Sequence, residues 1–508
     1  MDQDPPDALP ERPRPTYWLT RLLFLRALGV IYAVAFLALA RQLRALIGEQ
    51  GLLPAGAYLS RVEEALGPGW ASRAGMPTLF WAGTSDTFMQ TMSWIGLGVA
   101  LTVAFGCANA VLLAALWALY LSFVHIGQIF YGYGWEILLL ETGFLAIFLC
   151  PPLRPGALAA RSPPPAPVIW LVRWLLFRVM FGAGLIKLRG DPCWRDLTCL
   201  LFHYETQPLP NPLSWWLQQM PGWFHQLGAL WNHFIELIVP FGLFGPRRVR
   251  TVAGLLQAAF QVTLILSGNL SWLNWLTLVL CIACFDDRTL GRLFPAGMRA
   301  RVEELRALRP GRSRRVVTWV LVSCIALLSV NPVANLLSGD QIMNTSFDPL
   351  ELVNTYGAFG SVGRERDEIV LQGTDDEEVK EGSRWLDYEF PCKPGDVSRR
   401  PCVIAPYQYR LDWQIWFAAM SDYRQHPWLV NLVFKLLQDD PLALGLLANN
   451  PFGKRPPHAI RAELYRYEFT RRGEKGWWKR RRIGTWLPPL TLEDPTLAAF
   501  LRRQGWLR

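Results

Sequence analysis

The residues of this sequence with chemistry to offer gather where an apolar run stops. Lys187 closes a stretch that already carries Arg173 and Arg178, and the chain then passes through Asp191, Trp194, His203, Tyr204 and Glu205 before reaching Trp215. Basic side chains at membrane depth are expensive and are kept for ion pairs or for function, so this stretch is the first candidate site. Desolvation favours a neutral amine, so Lys187 held there would serve as a general base. Arg178 or His203 would then stabilise developing charge. The plainer reading of Lys187 is a residue that snorkels from a helix end to the interface on its long stem.

Further along, Asn232 and Glu236 stand at i and i+4, and His233 and Glu236 at i and i+3, so all three line one helical stripe that should face inward. Glu136 and Glu141 lie about 140° apart around a helix at 3.6 residues per turn. They cannot share one narrow face, and Glu141, expected deep, needs a partner. His203, His225 and His233 with Glu205 or Glu236 offer donor atoms, yet no closely spaced histidine pair exists, and no metal or cofactor is expected. There is no GxSxG elbow around a serine, which leaves hydrolase chemistry without a nucleophile. Gly182 and Gly184 lack the strand and spacing of a phosphate loop and read as small residues for close helix packing.

The elements that must position these groups are membrane helices. Apolar residues make up 51% of 508 positions and there are 24 Trp, enough to furnish interfacial belts. Spans are expected near Leu22 to Ala40, Thr91 to Phe105, Ala108 to Ile126, Tyr133 to Cys150, Val168 to Lys187, Phe224 to Phe241, Val252 to Leu266, Leu270 to Phe285 and Val316 to Val330, about nine in all. Residues 1–20 read as a disordered, Pro-rich cytoplasmic lead and 21–335 as the membrane domain. The net charge of +10 does not point to nucleic acid, because the arginines cluster in alternate loops. Arg12, Arg14, Arg21, Arg154, Arg161, Arg247, Arg248, Arg250 and the run from Arg288 to Arg315 fall on one side, which the positive-inside rule makes cytoplasmic. A basic amphipathic segment with Met298, Val302, Leu305 and Leu308 on one face is expected on an anionic lipid surface.

Residues 336–508 have the composition of a globular domain, placed outside the cytoplasm by the same count. It should be α+β or mostly β, with strands at Glu368 to Gln372, Trp385 to Phe390, Arg410 to Phe417, Ile460 to Phe469 and Arg481 to Trp486, and helices near Trp428 to Gln438 and Pro495 to Arg503. Of nine cysteines, Cys193 with Cys199 and Cys392 with Cys402 are the disulfide candidates on that oxidising side. Cys281 and Cys284 sit inside a span, where a thiol behaves as a small apolar residue. Asn344-Thr345-Ser346 is a glycosylation sequon on the same outer side, of use in a eukaryote.

Several long stretches carry a family resemblance. GWEILLLETGFLAIFLCP from Gly134 to Pro151, GLIKLRGDPCWRDLTCLLFHYETQPLPNPLSW from Gly184 to Trp215, NHFIELIVPF from Asn232 to Phe241, NTYGAFG from Asn354 to Gly360 and PYQYRLDWQIWF from Pro406 to Phe417 resemble the lipase maturation factor family. The resemblance implies a membrane folding factor that helps lipases reach an active, secreted state, with the outer C-terminal domain binding the client. It implies the endoplasmic reticulum membrane if the source is eukaryotic and the inner or plasma membrane if it is bacterial. A shorter stretch, AGLIKL followed by Trp194, is similar to the vitamin K-dependent gamma-carboxylase family, where the lysine matching Lys187 is the catalytic base; here Ile186 stands where that family usually has a second lysine.

The expectation is therefore a multi-pass maturation factor or chaperone whose partners are immature secreted proteins and membrane lipids, not nucleic acid. Extended client segments would add to a strand edge or aromatic groove between Tyr407 and Phe417. The rival is a membrane enzyme using Lys187 as base on a quinone-like or lipid substrate, with Glu141 or Glu236 in support. Asp191, Trp194, Tyr204, Glu205, Asn232, His233, Glu236 and Glu141 are the binding candidates in either case.

Overall fold

The computed structural model describes residues 15–153, 156–158, 161–453 and 455–507. The expected lead up to residue 14, and with it Arg12 and Arg14, lies outside the described residues, as does Arg154. Each expected span folds as a helix. These are α1 (Trp18–Ile47), α2 (Asp86–Ala104), α3 (Ala110–Ile126), α4 (Gly134–Leu149), α5 (Ala166–Arg189), α6 (Gly222–Phe244), α7 (Arg247–Ser267), α8 (Leu273–Cys284) and α9 (Arg312–Leu337).

The protein is a multi-pass helical membrane protein, but the figure of nine spans needs correction. Among the described residues, six helices are long and apolar enough to cross a membrane: α1, α2, α5, α6, α7 and α9. At 1.5 Å per residue, the 17 residues of α3 and the 16 of α4 fall short of a hydrocarbon core roughly 30 Å thick. α8 is shorter still. An apolar run read along the chain does not separate a helix that meets lipid from one buried among other helices.

α1 also begins before the expected boundary at Leu22. The first amides of a helix have no partner within it, and here Asp287 accepts from the amides of Trp18 (3.0 Å) and Leu19 (2.7 Å), a carboxylate placed where the helix dipole favours it. The basic amphipathic helix, Ala296–Leu305, uses its apolar face within the protein: Val302 and Leu305 are buried against Trp18, Leu19 and Leu290. This corrects the expectation that the face is laid on lipid.

Two ends of the bundle are distinct. At one, Arg247, Arg250, Arg288, Arg292, Arg299 and Arg306 surround a hollow beside Asp286 and Asp287, and α9 starts nearby the end of α4, where Arg314 donates to the Cys150 carbonyl at 3.0 Å. At the other, α5 and α9 finish together, with Arg189 donating to the Leu336 carbonyl at 2.9 Å. The C-terminal region departs from this second end. Gly182 faces that region and Gly184 faces α6, each without a side chain for a physical reason. A Cβ on Gly182 would lie 2.5 Å from the Tyr356 carbonyl oxygen, and one on Gly184 would strike Leu237 and the Cβ of Glu236.

α6 is not uniform. It runs as an α-helix to His233, takes a π turn over Phe234–Ile238 and tightens to a 3-10 turn over Val239–Phe244. Pro240 has no amide hydrogen to return to the Glu236 carbonyl, and the helix changes its hydrogen-bond register around that gap.

The C-terminal region holds a four-stranded antiparallel sheet in the order β2-β1-β3-β4, with β1 Arg366–Thr374, β2 Leu386–Asp387, β3 Ala459–Phe469 and β4 Trp478–Thr491. Helices α10 (Arg410–Ala418), α11 (Pro427–Leu437) and α12 (Pro495–Arg503) complete it. α10 replaces an expected strand and so removes the strand edge proposed between Tyr407 and Phe417. The alternation of Leu411, Trp413 and Ile415 suggested a half-buried strand, yet Arg410, Asp412 and Gln414 are buried too. Each of the three finds partners in other segments, Arg410 at Glu136 and Phe130, Asp412 at the amides of Cys392 and Lys393, and Gln414 at Ile129 and Tyr133, which a helix wedged between two layers allows. The expected strand over Trp385 to Phe390 shrinks to Leu386–Asp387.

Candidate functional site

The charged residues of the first candidate cluster do not form one site. α5 holds Arg178 and Lys187 at different depths, and each has its own partner. Lys187 Nζ donates to Glu236 Oε1 at 2.5 Å, Glu236 Oε2 at 2.7 Å and Asn232 Oδ1 at 3.1 Å, and Asn232 Nδ2 closes the group by donating to Glu236 Oε2 at 2.8 Å. The ammonium also lies 5.0 Å from the Trp194 ring centre, a cation–π contact. The ammonium's three hydrogen bonds are thus taken up by Glu236 and Asn232. His233, on the same helix, turns away, and its Nε2 is 2.9 Å from the Trp194 carbonyl oxygen.

Arg178 instead pairs with Glu141 on α4. Residues 354–356 complete that pair: Glu141 Oε2 accepts from the Asn354 amide at 3.1 Å and from the Tyr356 hydroxyl at 2.8 Å, while Arg178 donates to the Asn354 carbonyl at 2.6 Å. A loop that follows α9 therefore reaches between α4 and α5.

The stretch after Lys187 is clamped by the same region. Asp191 pairs with Arg364 at 2.8 Å, and hydrogen bonding to that guanidinium holds its carboxyl below the ordinary range. The Asp191 amide donates to the Gly360 carbonyl at 2.8 Å and Trp194 Nε1 to that of Phe359 at 2.8 Å. His203 stacks edge-on against Phe359 with ring centres 4.8 Å apart, and burial, aided by Lys187, pushes its pKa down to about 4. It is a neutral imidazole at physiological pH. Tyr204 lies beside His225, 5.8 Å between ring centres. Glu205 Oε2 accepts from the Phe469 amide at 2.6 Å, and Trp215 enters an apolar cluster with Val370, Tyr467, Phe469 and Trp478 on the sheet. Arg366 donates to the carbonyls of Glu205 (2.9 Å) and Pro208 (2.8 Å) and pairs with Glu368 at 2.5 Å, which in turn meets Lys393 at 3.1 Å.

A further buried pair lies outside the residues singled out as a site in the sequence. Arg410 of α10 donates to Glu136 Oε1 at 2.8 Å and to the Phe130 carbonyl at 2.6 Å, with its guanidinium 3.5 Å from the Tyr131 ring centre. Tyr120 and Trp135 also donate to Glu136. The signal was present: Glu136 is a membrane-helix acid in want of a partner, and Arg410 is the basic residue within PYQYRLDW.

Cys193 is bridged to Cys199 and Cys392 to Cys402. Asp191, Cys193 and Cys199 bring three potential ligand atoms within 4.8 Å, but both sulfurs are in the bridge and the carboxylate serves Arg364, so these residues do not suit a metal ion.

The signature stretches converge on a cavity of about 390 Å³. Gly134 and Trp135 of α4, Ala183 of α5, Pro208, Glu236 of α6, Tyr356 to Gly360, and Trp413, Trp416 and Phe417 of α10 all contribute to its wall. α7 and α8 add Phe260, Gln261, Leu264 and Asn274. No pair of these stretches is adjacent in the chain. Their common feature is this space and the ion pairs around it.

Glu351, in the segment leading to that loop, adds a pH dependence. Burial first, and the nearby Asp348 second, push its pKa from 4.5 up to about 7, and its Oε2 has no hydrogen-bond partner. Folding thus favours the protonated acid, so this group's contribution to stability is complete below its unfolded value and is lost as pH rises through about 7. We expect Glu351→Gln to flatten the decline of Tm between pH 5 and 7.5. An unchanged slope would remove Glu351 as its source.

Comparison with known proteins brings in a family. The model of the lipase maturation factor transmembrane domain matches residues 19–292 and that of the lipase maturation factor C-terminal domain matches residues 352–488. The chain is 50% identical to lipase maturation factor 1 of Bos taurus over 97% of its own length and 92% of the relative's. To lipase maturation factor 1 of Homo sapiens it is 49% identical over 97% and 91%, and to lipase maturation factor 2 of Homo sapiens 33% identical over 96% and 85%. No solved structure matches it.

Proposed function

The chain belongs to the lipase maturation factor family, and on that premise we propose that it assists immature secreted lipases to reach their active form as a membrane-bound chaperone. The observation that carries this reading is the match at about half identity along nearly the whole chain, membrane helices and C-terminal region together. The client is held on the C-terminal region, 336–508, which is placed outside the cytoplasm. Two features support that placement. The arginine-rich hollow marks the opposite end of the bundle, as the positive-inside rule requires of the cytoplasmic face. Both cysteine bridges lie at the C-terminal end, where an oxidising compartment would keep them. The membrane is that of the endoplasmic reticulum in a eukaryotic source and the plasma or inner membrane in a bacterial one. With α10 helical, β4 is an outer edge of the sheet to which an extended client segment can add.

Co-expression with a secreted lipase in cells lacking their own maturation factor tests the reading. We expect secreted lipase activity per unit of lipase protein to rise several-fold over the same cells without the chain. Equal specific activity with and without it would refute the proposal.

A further inference from the structure

The cavity framed by the signature stretches has a composition that selects a ligand. Its wall is aromatic and aliphatic, with Trp135, Phe260, Leu264, Leu270, Trp413 and Trp416 among its residues. Its one charged side chain, Glu236, is neutralised by Lys187 and has both oxygens occupied. An anionic headgroup would therefore meet no uncommitted cation, and a cationic one no free acid.

Among the polar residues of the wall, Gln261 of α7 and Asn274 and Thr277 of α8 sit together. Asn274 Nδ2 donates to Gln261 Oε1 at 2.8 Å, and Gln261 Nε2 is spent on the Met180 sulfur at 3.4 Å. Asn274 is 4% exposed and its Oδ1 has no partner. A buried amide left half-satisfied is unfavourable, and a hydroxyl, which both donates and accepts, satisfies it whichever way the amide is turned. Met343 and Phe417, at the edge of the cavity, are exposed. Pockets for drug-sized ligands run from about 300 to 1,000 Å³, so about 390 Å³ has room for one hydrocarbon chain and a small head, not two chains.

We propose that this cavity binds a neutral, single-chain lipid bearing a free hydroxyl, its chain among the aromatic residues and its hydroxyl on Asn274. The ligand enters past Met343 and Phe417, at the exposed edge of the cavity. Binding is a property of the chain itself and does not rest on its part in lipase maturation.

The test uses the full chain in nanodiscs and a photoactivatable, alkyne-tagged 1-monoacylglycerol. We expect crosslinks to map to α7 and α10 and the natural chain to capture the probe at least five-fold better than the same probe with both glycerol hydroxyls methylated. Asn274→Leu should abolish that preference while still capturing both probes. Leu264→Trp, which fills the space from its half-buried side, should reduce capture of either probe at least ten-fold with the unfolding temperature kept. A tenfold excess of free fatty acid at pH 8 or of phosphatidylserine should not compete. Equal capture of the methylated probe by the natural chain, displacement by either anionic lipid, or labelling unaffected by Leu264→Trp in a folded variant would overturn the proposal.

Discussion

Glu236→Ala is expected to destabilise the protein by about 3–5 kcal/mol, because it strands the Lys187 ammonium in the bundle with one hydrogen bond of its former three. Both side chains are nearly inaccessible, at 5% and 4%, so water cannot take over from the lost carboxylate. Lys187→Met should cost less, since it leaves an acid that can be protonated. The pair Lys187→Met/Glu236→Gln removes both charges at once and keeps an amide to bond with Asn232. A buried ion pair replaced as a whole is often neutral or stabilising, so this double variant should recover most of the loss. Thermal unfolding in detergent reads all three. Additive losses, with the double variant worst of all, would show that the two residues do not act as a pair.

Arg410→Met is the second large effect. It leaves Glu136 buried at 0% exposure with only Tyr120 and Trp135 to donate to it, and it removes the ion pair between α10 and α4. A loss of about 3–5 kcal/mol is expected here too. The C-terminal region should loosen before the membrane helices do, so limited proteolysis should cut the segment between α9 and β1 well below the global unfolding temperature. Glu136→Gln/Arg410→Met should restore resistance in large part. Uniform melting of the whole chain in the single variant would contradict a specific role as a clamp.

The membrane helices could be read from the sequence because a long apolar run has few other fates. Their number could not, since α3, α4 and α8 are apolar for contact with other helices, and hydropathy does not record which neighbour a residue has. The disposition of Asn232 and Glu236 followed from helical spacing alone, and they meet Lys187 as a pair. That Arg178 would serve Glu141 was beyond reach, because the residues that complete the group, Asn354 and Tyr356, come from a loop about 200 positions away. α10 misled for a related reason: an alternating pattern means a strand only if the intervening residues face water, and Arg410, Asp412 and Gln414 do not. Asp412 accepts from the amides of Cys392 and Lys393 at 2.7 and 2.8 Å, a partnership no local pattern foretells.

The same geometry changes the standing of Lys187. A lysine after two glycines and before a tryptophan invited comparison with a catalytic base, yet here it is a strut between α5 and α6 that also meets Trp194. Three such buried struts, Lys187–Glu236, Arg178–Glu141 and Arg410–Glu136, draw all their residues but Arg178 from the stretches that carry the family resemblance, as does the loop they fasten. In this account maturation depends on that frame, which sets the C-terminal region against the membrane helices, and not on proton transfer by one amine.

The secreted specific activity of a lipase co-expressed with Lys187→Met/Glu236→Gln tests this most directly. The double variant has no basic group at position 187, but its frame is intact. The account predicts at least half the activity supported by the natural chain, with Glu236→Ala alone giving little. A double variant that folds and reaches the membrane in normal amount but supports no lipase activity would contradict it.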